Sequence, residues 1–281
     1  MPTSIATLRD RLRLLIPEAY QQTPAKPASM GAAGLKYNMD GAVAWDKIWG
    51  SFCDLAMAGG PPHKGTLLQP GSAVEIAENA GPYQQVVREI CRGITLVTAL
   101  DAEFDTPGWV RVSCTSNSMA GWLLRAITIE NIAVRADGST LYLPAGPDYR
   151  IDKQIKNVIT VIAKTTHYWR DHMPAAQQWA IADLFTEMEA ESVLLQPSLS
   201  PDPDHYQRIA NAIHQHTGLT MLPAQYPGWI GIAYPNPRAA IDTAHLSIAR
   251  NILARHEATT LFLPLNPTTD PSGTILINAL M

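Results

Sequence analysis

Apolar positions near the start of the chain fall at helical spacing. Ile5, Leu8, Leu12 and Leu15 lie three and four residues apart, which predicts an amphipathic helix over 4–16. The same period recurs over 83–98, 119–134, 149–171, 175–191, 206–217 and 239–254, each read as a helix. Between these runs the period drops to two. Short segments with alternating β-branched residues, Trp109–Ser113, 140–143, Trp229–Ala233 and 260–263, predict strands. Prolines follow the second strand of each pair and stop it.

These elements repeat. Residues 107–147 align without a gap on residues 227–267, at an offset of 120, with 12 identities in 41 positions. The identities include Pro107/Pro227, Gly108/Gly228, Trp109/Trp229, Asn131/Asn251, Arg135/Arg255 and Pro144/Pro264. A chance PGW match is easy, but PGW and TL-x-LP at one shared separation is not. The expected fold is therefore α/β, built from internally duplicated α-β-α-β units. A strand, a helix and a strand within such a span predict βαβ crossovers with parallel strands and a right-handed connection. Residues 1–80 read as a diverged third copy, since GTLLQP meets STLYLP at an offset of 74 and Gly34 then meets Gly108. The alternative is an N-terminal appendage. The expected domains are 1–80, 81–195 and 201–281, with the proline- and serine-rich stretch 196–204 as the linker.

Composition narrows the class. Charged residues are 16% of 281, against roughly 25% in ordinary soluble proteins, and the net charge is −4. With 46% hydrophobic residues the chain is not a disordered one. No basic cluster supports nucleic acid as the partner. No apolar run is long enough for a membrane-spanning helix, and the N-terminal helix is cut by charges, so neither a membrane nor a secretory leader is expected. Cys53, Cys91 and Cys114 are odd in number and far apart, which fits reduced thiols and a cytoplasmic setting. Low charge also fits a homo-oligomer with a buried interface.

The chemistry is less explicit. Dinucleotide, P-loop, zinc-protease, nucleophile-elbow and CxxC motifs do not occur. The first candidates are the loops that lead from strand to helix, where free backbone N–H groups offer a polar or anionic ligand a site. They carry Ser116 and Asn117, Asn236 and Arg238, and Asn38 and Asp40 in the candidate third copy. The same residue types also make ordinary helix caps. Next comes the loop around His63 and Lys64, rich in glycine and proline, where an imidazole and an ammonium sit side by side. The helix around Cys53 and Asp54, with Trp45, Trp49 and Phe52 at helical spacing, reads mainly as core. Finally, Lys153, Asn157, Thr160, Lys164 and His167 form a polar stripe on an otherwise apolar helix. A buried Lys164 there needs a partner or a task. His167 and Asp171 are one helical turn apart and can touch.

No metal site is expected, because the histidines are scattered and the His214/His216 spacing points the rings apart on a helix. No cofactor can be named. The leading expectation is an enzyme or cofactor-handling protein that binds a polar, anionic small molecule between repeat units. The binding set would be Asn38, Asp40, Ser116, Asn117, Asn236 and Arg238. His63, Lys64, Lys164 and His167 would supply acid–base or electrostatic help. The competing expectation is a non-catalytic assembly protein with a broad apolar interface.

Overall fold

The structure, a computed structural model, describes residues 4–16, 34–50, 65–198 and 202–281. Its elements run α1 (Ile5–Leu15), α2 (Trp45–Gly50), α3 (Ala73–Glu78), α4 (Ala80–Thr98), β1 (Ala102–Phe104), β2 (Trp109–Ser113), α5 (Asn117–Ile129), β3 (Arg135–Asp137), β4 (Thr140–Pro144), α6 (Lys156–His167), α7 (Ala175–Glu191), α8 (Pro203–Thr217), β5 (Trp229–Ala233), α9 (Pro237–Ala249), β6 (Arg255–Glu257), β7 (Thr260–Pro264) and α10 (Thr274–Leu280). Helix α6 is flanked by two π-helical turns, Ile151–Ile155 before it and Tyr168–His172 after it. The chain divides into a middle unit, 17–182, and a terminal unit made of 1–16 with 183–281. Among the described residues no helix is long and apolar enough to cross a membrane.

In the middle unit the sheet order is β1-β2-β4-β3, and every neighbouring pair is antiparallel. The expected parallel pairing of the two long strands is thus corrected. Residues 135–139, which the sequence pattern leaves between a helix and a strand, form the short strand β3 and a two-residue reversal with Gly138 at φ +55°. The chain therefore turns back before the second long strand begins, and β4 meets β2 running the other way. β2 and β3 do share a direction, but β4 lies between them.

The terminal unit has the order β5-β7-β6, again antiparallel. Its register matches at the same offset: Trp109 faces Pro144 on the neighbouring strand, and Trp229 faces Pro264.

Several of the identical residues now have physical reasons. Gly108 and Gly228 sit at φ +91° and +73°, and a Cβ there would meet the Gly71 carbonyl at 2.9 Å or the Ser198 carbonyl at 2.6 Å. Both the left-handed backbone and the close approach require glycine. Asn131 and Asn251 lie just past the ends of α5 and α9 in the left-handed region, at φ 59° and 64°. Asparagine tolerates that region. This left-handed residue ends both helices earlier than the apolar period predicts. Each side-chain amide also donates to an incoming strand-like segment, Asn131 to Gly65 O at 3.0 Å and Asn251 to Ser192 O at 2.7 Å. Those segments carry the same sequence, LLQP, at 67–70 and 194–197. Leu68 bridges Ile132, and Leu195 bridges Ile252, both in parallel sense. The LLQP segment that leads into the stretch read as a linker is therefore tied by backbone hydrogen bonds to the residues between α9 and β6, with Leu195 fully buried.

Each sheet holds an arginine against aromatic rings. The Arg135 guanidinium carbon lies 4.2 Å from the Trp109 ring centre and 4.8 Å from that of Tyr142. Arg255 is enclosed more fully, at 4.1 Å from Phe262, 4.5 Å from Tyr226 and 4.9 Å from Trp229. Its Nη1 donates to Glu257 Oε1 at 2.5 Å, and the Tyr226 hydroxyl donates to Glu257 Oε2 at 3.0 Å. Burial pulls the Arg255 pKa below its ordinary value, while the Glu257 contact opposes that shift.

Around these sheets the helices complete the core. In the middle unit α4 packs on α6, and α5 packs on α6. In the terminal unit α1 packs on α9, with Leu8 and Leu15 buried and Arg11 donating to Ala249 O at 3.3 Å.

Arg255→Ala empties a three-ring box and leaves Glu257 without its cation, so we expect a loss of about 3–5 kcal/mol. The less enclosed Arg135→Ala should cost less; thermal denaturation of both variants tests that order. His245 on α9 gives a pH signature. Burial holds its pKa down at about 4, against 6.5 for an ordinary histidine. The folded state therefore keeps it neutral where the unfolded chain protonates. Its contribution is complete above about pH 6.5 and is lost as pH falls towards 4, on the order of 3 kcal/mol in all. His245→Gln should flatten the fall in Tm across that window.

Candidate functional site

The strand-to-helix loops are engaged in capping. Ser116 Oγ accepts from Met119 N at 3.1 Å and Asn236 Oδ1 accepts from Ala239 N at 2.9 Å, so both begin their helices as N-caps. Asn117 is the exposed first residue of α5. Arg238 is exposed and pairs with Asp242 one turn on, at 2.9 Å. Asn38 and Asp40 shape a tight turn between Tyr37 and Val43. Asn38 Oδ1 accepts from Lys47 Nζ at 3.1 Å, and Asp40 Oδ1 accepts from Ala42 N at 3.0 Å. His63, Lys64, Cys53, Asp54 and Phe52 lie outside the described residues.

The polar stripe along α6 is solvated only in part: Lys153, in the π-helical turn before the helix, is exposed, and Asn157 and His167 are half-buried. Thr160 and Lys164 are buried, and Lys164 Nζ lies 3.8 Å from Glu130 Oε1, with side-chain exposures of 3% and 0%. Glu130 follows α5 as its C-terminal cap residue. Removing one member of a buried ion pair costs more than replacing both with apolar residues.

At the far end of α6 the π-helical turn gathers a cluster. His167 Nδ1 lies 2.5 Å from Asp171 Oδ2, and His167 Nε2 lies 3.2 Å from His172 Nε2. The Trp49 ring meets His167 edge-on at 5.8 Å, and Tyr168 stacks with His172 at 6.0 Å. Tyr168 and Trp169 both pack on the buried Trp122, at 5.5 and 5.8 Å. A π-turn hydrogen-bonds residues five apart, and here it leaves His167 and His172 side by side. The sequence reading found the His167–Asp171 contact and missed His172, because an α-helical period does not align positions five apart.

The terminal unit holds a cavity of about 270 Å³. Its walls come from the first turn of α8 (Asp202, His205, Tyr206), the turn before β5 (Tyr226, Pro227, Gly228) and the segment after β7 (Leu265, Pro267). Asp202 starts α8 by accepting from Asp204 N at 2.9 Å, and Pro203 fits the first helical position. His205 is 2% exposed, and neither ring nitrogen has a hydrogen-bond partner. Burial, the largest influence, lowers its pKa and so favours the neutral ring.

The corresponding region of the middle unit uses two tyrosines differently. There the Tyr83 hydroxyl accepts from Gly108 N at 2.8 Å, and the buried Tyr149 hydroxyl donates to Gln69 O at 2.5 Å. In the terminal unit Tyr206 donates to Leu222 O, and Thr269 stands at the position 120 after Tyr149. Asn266 serves the equivalent carbonyl, Gln196 O, at 3.1 Å. Sequence reasoning passed over His205 because a lone histidine at a helix start carries no pattern. The Tyr149/Thr269 difference lies two residues beyond the aligned segment.

Comparison with known proteins adds no relative: no family model, no curated protein and no solved structure matches the chain. Among the described residues the thiols offer little reactivity, since burial pushes Cys91 up to about 11 and Cys114 up to about 12.

Lys164→Met should destabilise the protein by about 3–5 kcal/mol, and the double change Lys164→Met with Glu130→Leu should recover most of it. Thermal melts of the three proteins check this. A double variant no better than the single one would mean that the lysine is held by something other than this pair.

Proposed function

We propose that the chain is a small-molecule-binding protein whose ligand occupies the cavity of the terminal unit against His205. The observation that carries this reading is a cavity lined in part by His205, a buried histidine whose two ring nitrogens have no hydrogen-bond partner. Leaving a buried polar group unsatisfied costs about 1–3 kcal/mol, and groups left in that state often await a ligand or an ordered water. The ligand class follows from the walls. Proline, leucine and tyrosine surfaces suit a flat apolar body. The neutral imidazole suits one hydroxyl or amide group. Asp202, held as a carboxylate by hydrogen bonds from its own helix start, disfavours the anionic ligand expected from the loops.

The two units are read as products of a duplication, supported by the matched strand register and by the paired glycine, asparagine and arginine roles. In this reading one copy kept a filled turn and the other opened a binding site. A cytoplasmic setting is proposed from the free thiols Cys91 and Cys114. The second reading, assembly into a homo-oligomer, rests on low charge and on the exposed Trp179, which is 75% accessible on α7.

Native mass spectrometry against the denatured mass reports bound ligand and subunit number together. A thermal-shift screen of neutral aromatic alcohols and amides should find stabilising members. A ligand at 100 times its Kd adds about 2.7 kcal/mol. His205→Phe should abolish the shift while leaving the unliganded Tm unchanged or higher. Equal shifts in both proteins, or none in either, would refute the site.

A further inference from the structure

We propose that His167 and His172 form a two-nitrogen chelate for a divalent transition ion such as zinc, nickel or cobalt, with Asp171 as its outer carboxylate. The spacing is the first support. Metal–imidazole bonds of about 2.0–2.1 Å place two nitrogens about 2.9 Å apart at a right angle and about 3.3 Å apart at a tetrahedral angle. The two Nε2 atoms here are 3.2 Å apart. Their rings stand at 77° with centres 4.9 Å apart, closer than a head-on arrangement would allow.

The outer contact is the second support. A metal-binding histidine commonly gives its other N–H to a carboxylate, which fixes the tautomer and raises ligand basicity. Asp171 Oδ2 stands 2.5 Å from His167 Nδ1, which leaves Nε2 as the ligand atom. The third support is pre-organisation. Trp49 lies edge-on to His167 and Tyr168 stacks with His172, so both rings are held before any ion arrives. Tyr168 is in turn stacked on the buried Trp122. Among the described residues no group of three or more histidine, cysteine or carboxylate side chains gathers to hold an ion. The remaining coordination positions therefore go to water or to a donor on an incoming molecule, which makes the site an open one.

Titration calorimetry of the whole chain with zinc or nickel chloride, after treatment with a chelator, tests this. One equivalent should bind at neutral pH. His172→Ala, at an exposed position, should lose that equivalent with the fold intact by circular dichroism. Asp171→Asn should weaken binding by about 10–100-fold. The double change His214→Ala with His216→Ala should leave it untouched. No saturable binding by the unmodified protein, or binding unchanged in His172→Ala, would overturn the chelate. It would leave the pair as an imidazole–imidazole hydrogen bond. Unchanged affinity in Asp171→Asn would remove the carboxylate from the site.

Discussion

Each sheet is organised around an arginine that lies against aromatic rings. A guanidinium is costly to bury, and the faces of tryptophan, tyrosine and phenylalanine return part of that cost only when they approach within a few ångströms. This condition sets the positions of three chain segments at once. The short strand β3 or β6 must bring the arginine in, the first long strand must present its tryptophan, and the second must present Tyr142 or Phe262 on the same face. A one-residue slip in either pairing would turn the rings to the other side of the sheet. The hairpin and the register are thereby coupled to one cation.

The two units meet this condition with different completeness, and the difference bears on chemistry. Arg255 gains a third ring from Tyr226, whose hydroxyl also holds Glu257. The same tyrosine forms part of the cavity wall that includes His205. The stabilising box and the candidate binding site thus share a side chain, and the box holds that wall in place. In the middle unit Thr106 stands where Tyr226 would be, and Tyr83 and Tyr149 are spent on backbone groups instead. The two sheets thus share a strand register but differ in the side chains at this turn.

The middle unit keeps its own polar chemistry on α6. A buried lysine–glutamate pair lies within the helix layer, and the histidine cluster lies at its end. The first is a matter of stability. The second owes its geometry to a π-turn, which stacks Tyr168 on Trp122, packs Trp169 against it at a tilt and aligns His167 with His172. Local winding of a helix and the packing of its aromatic residues are here one event.

Much of the local structure was determined by the sequence alone. The strands Trp109–Ser113 and Trp229–Ala233 lie where the sequence puts them; the first alternates as a half-buried strand must, while the second is buried at four successive residues. The shared PGW, Asn-Ile and TL-x-LP positions marked the turns, because left-handed and closely approached backbone admits few residue types. Contact between His167 and Asp171 followed from helical spacing. The strand direction did not follow, because a reversal of two residues between β3 and β4 looks like any polar turn until the second strand is seen beside the first. Nor did the partners of Lys164 and His172, since an ion pair across helices and a contact five residues apart leave no periodic trace. His205 became a candidate only when tertiary packing buried it beside a cavity. Burial and missing hydrogen-bond partners are properties of an environment assembled from distant segments, and no local pattern of residues encodes them.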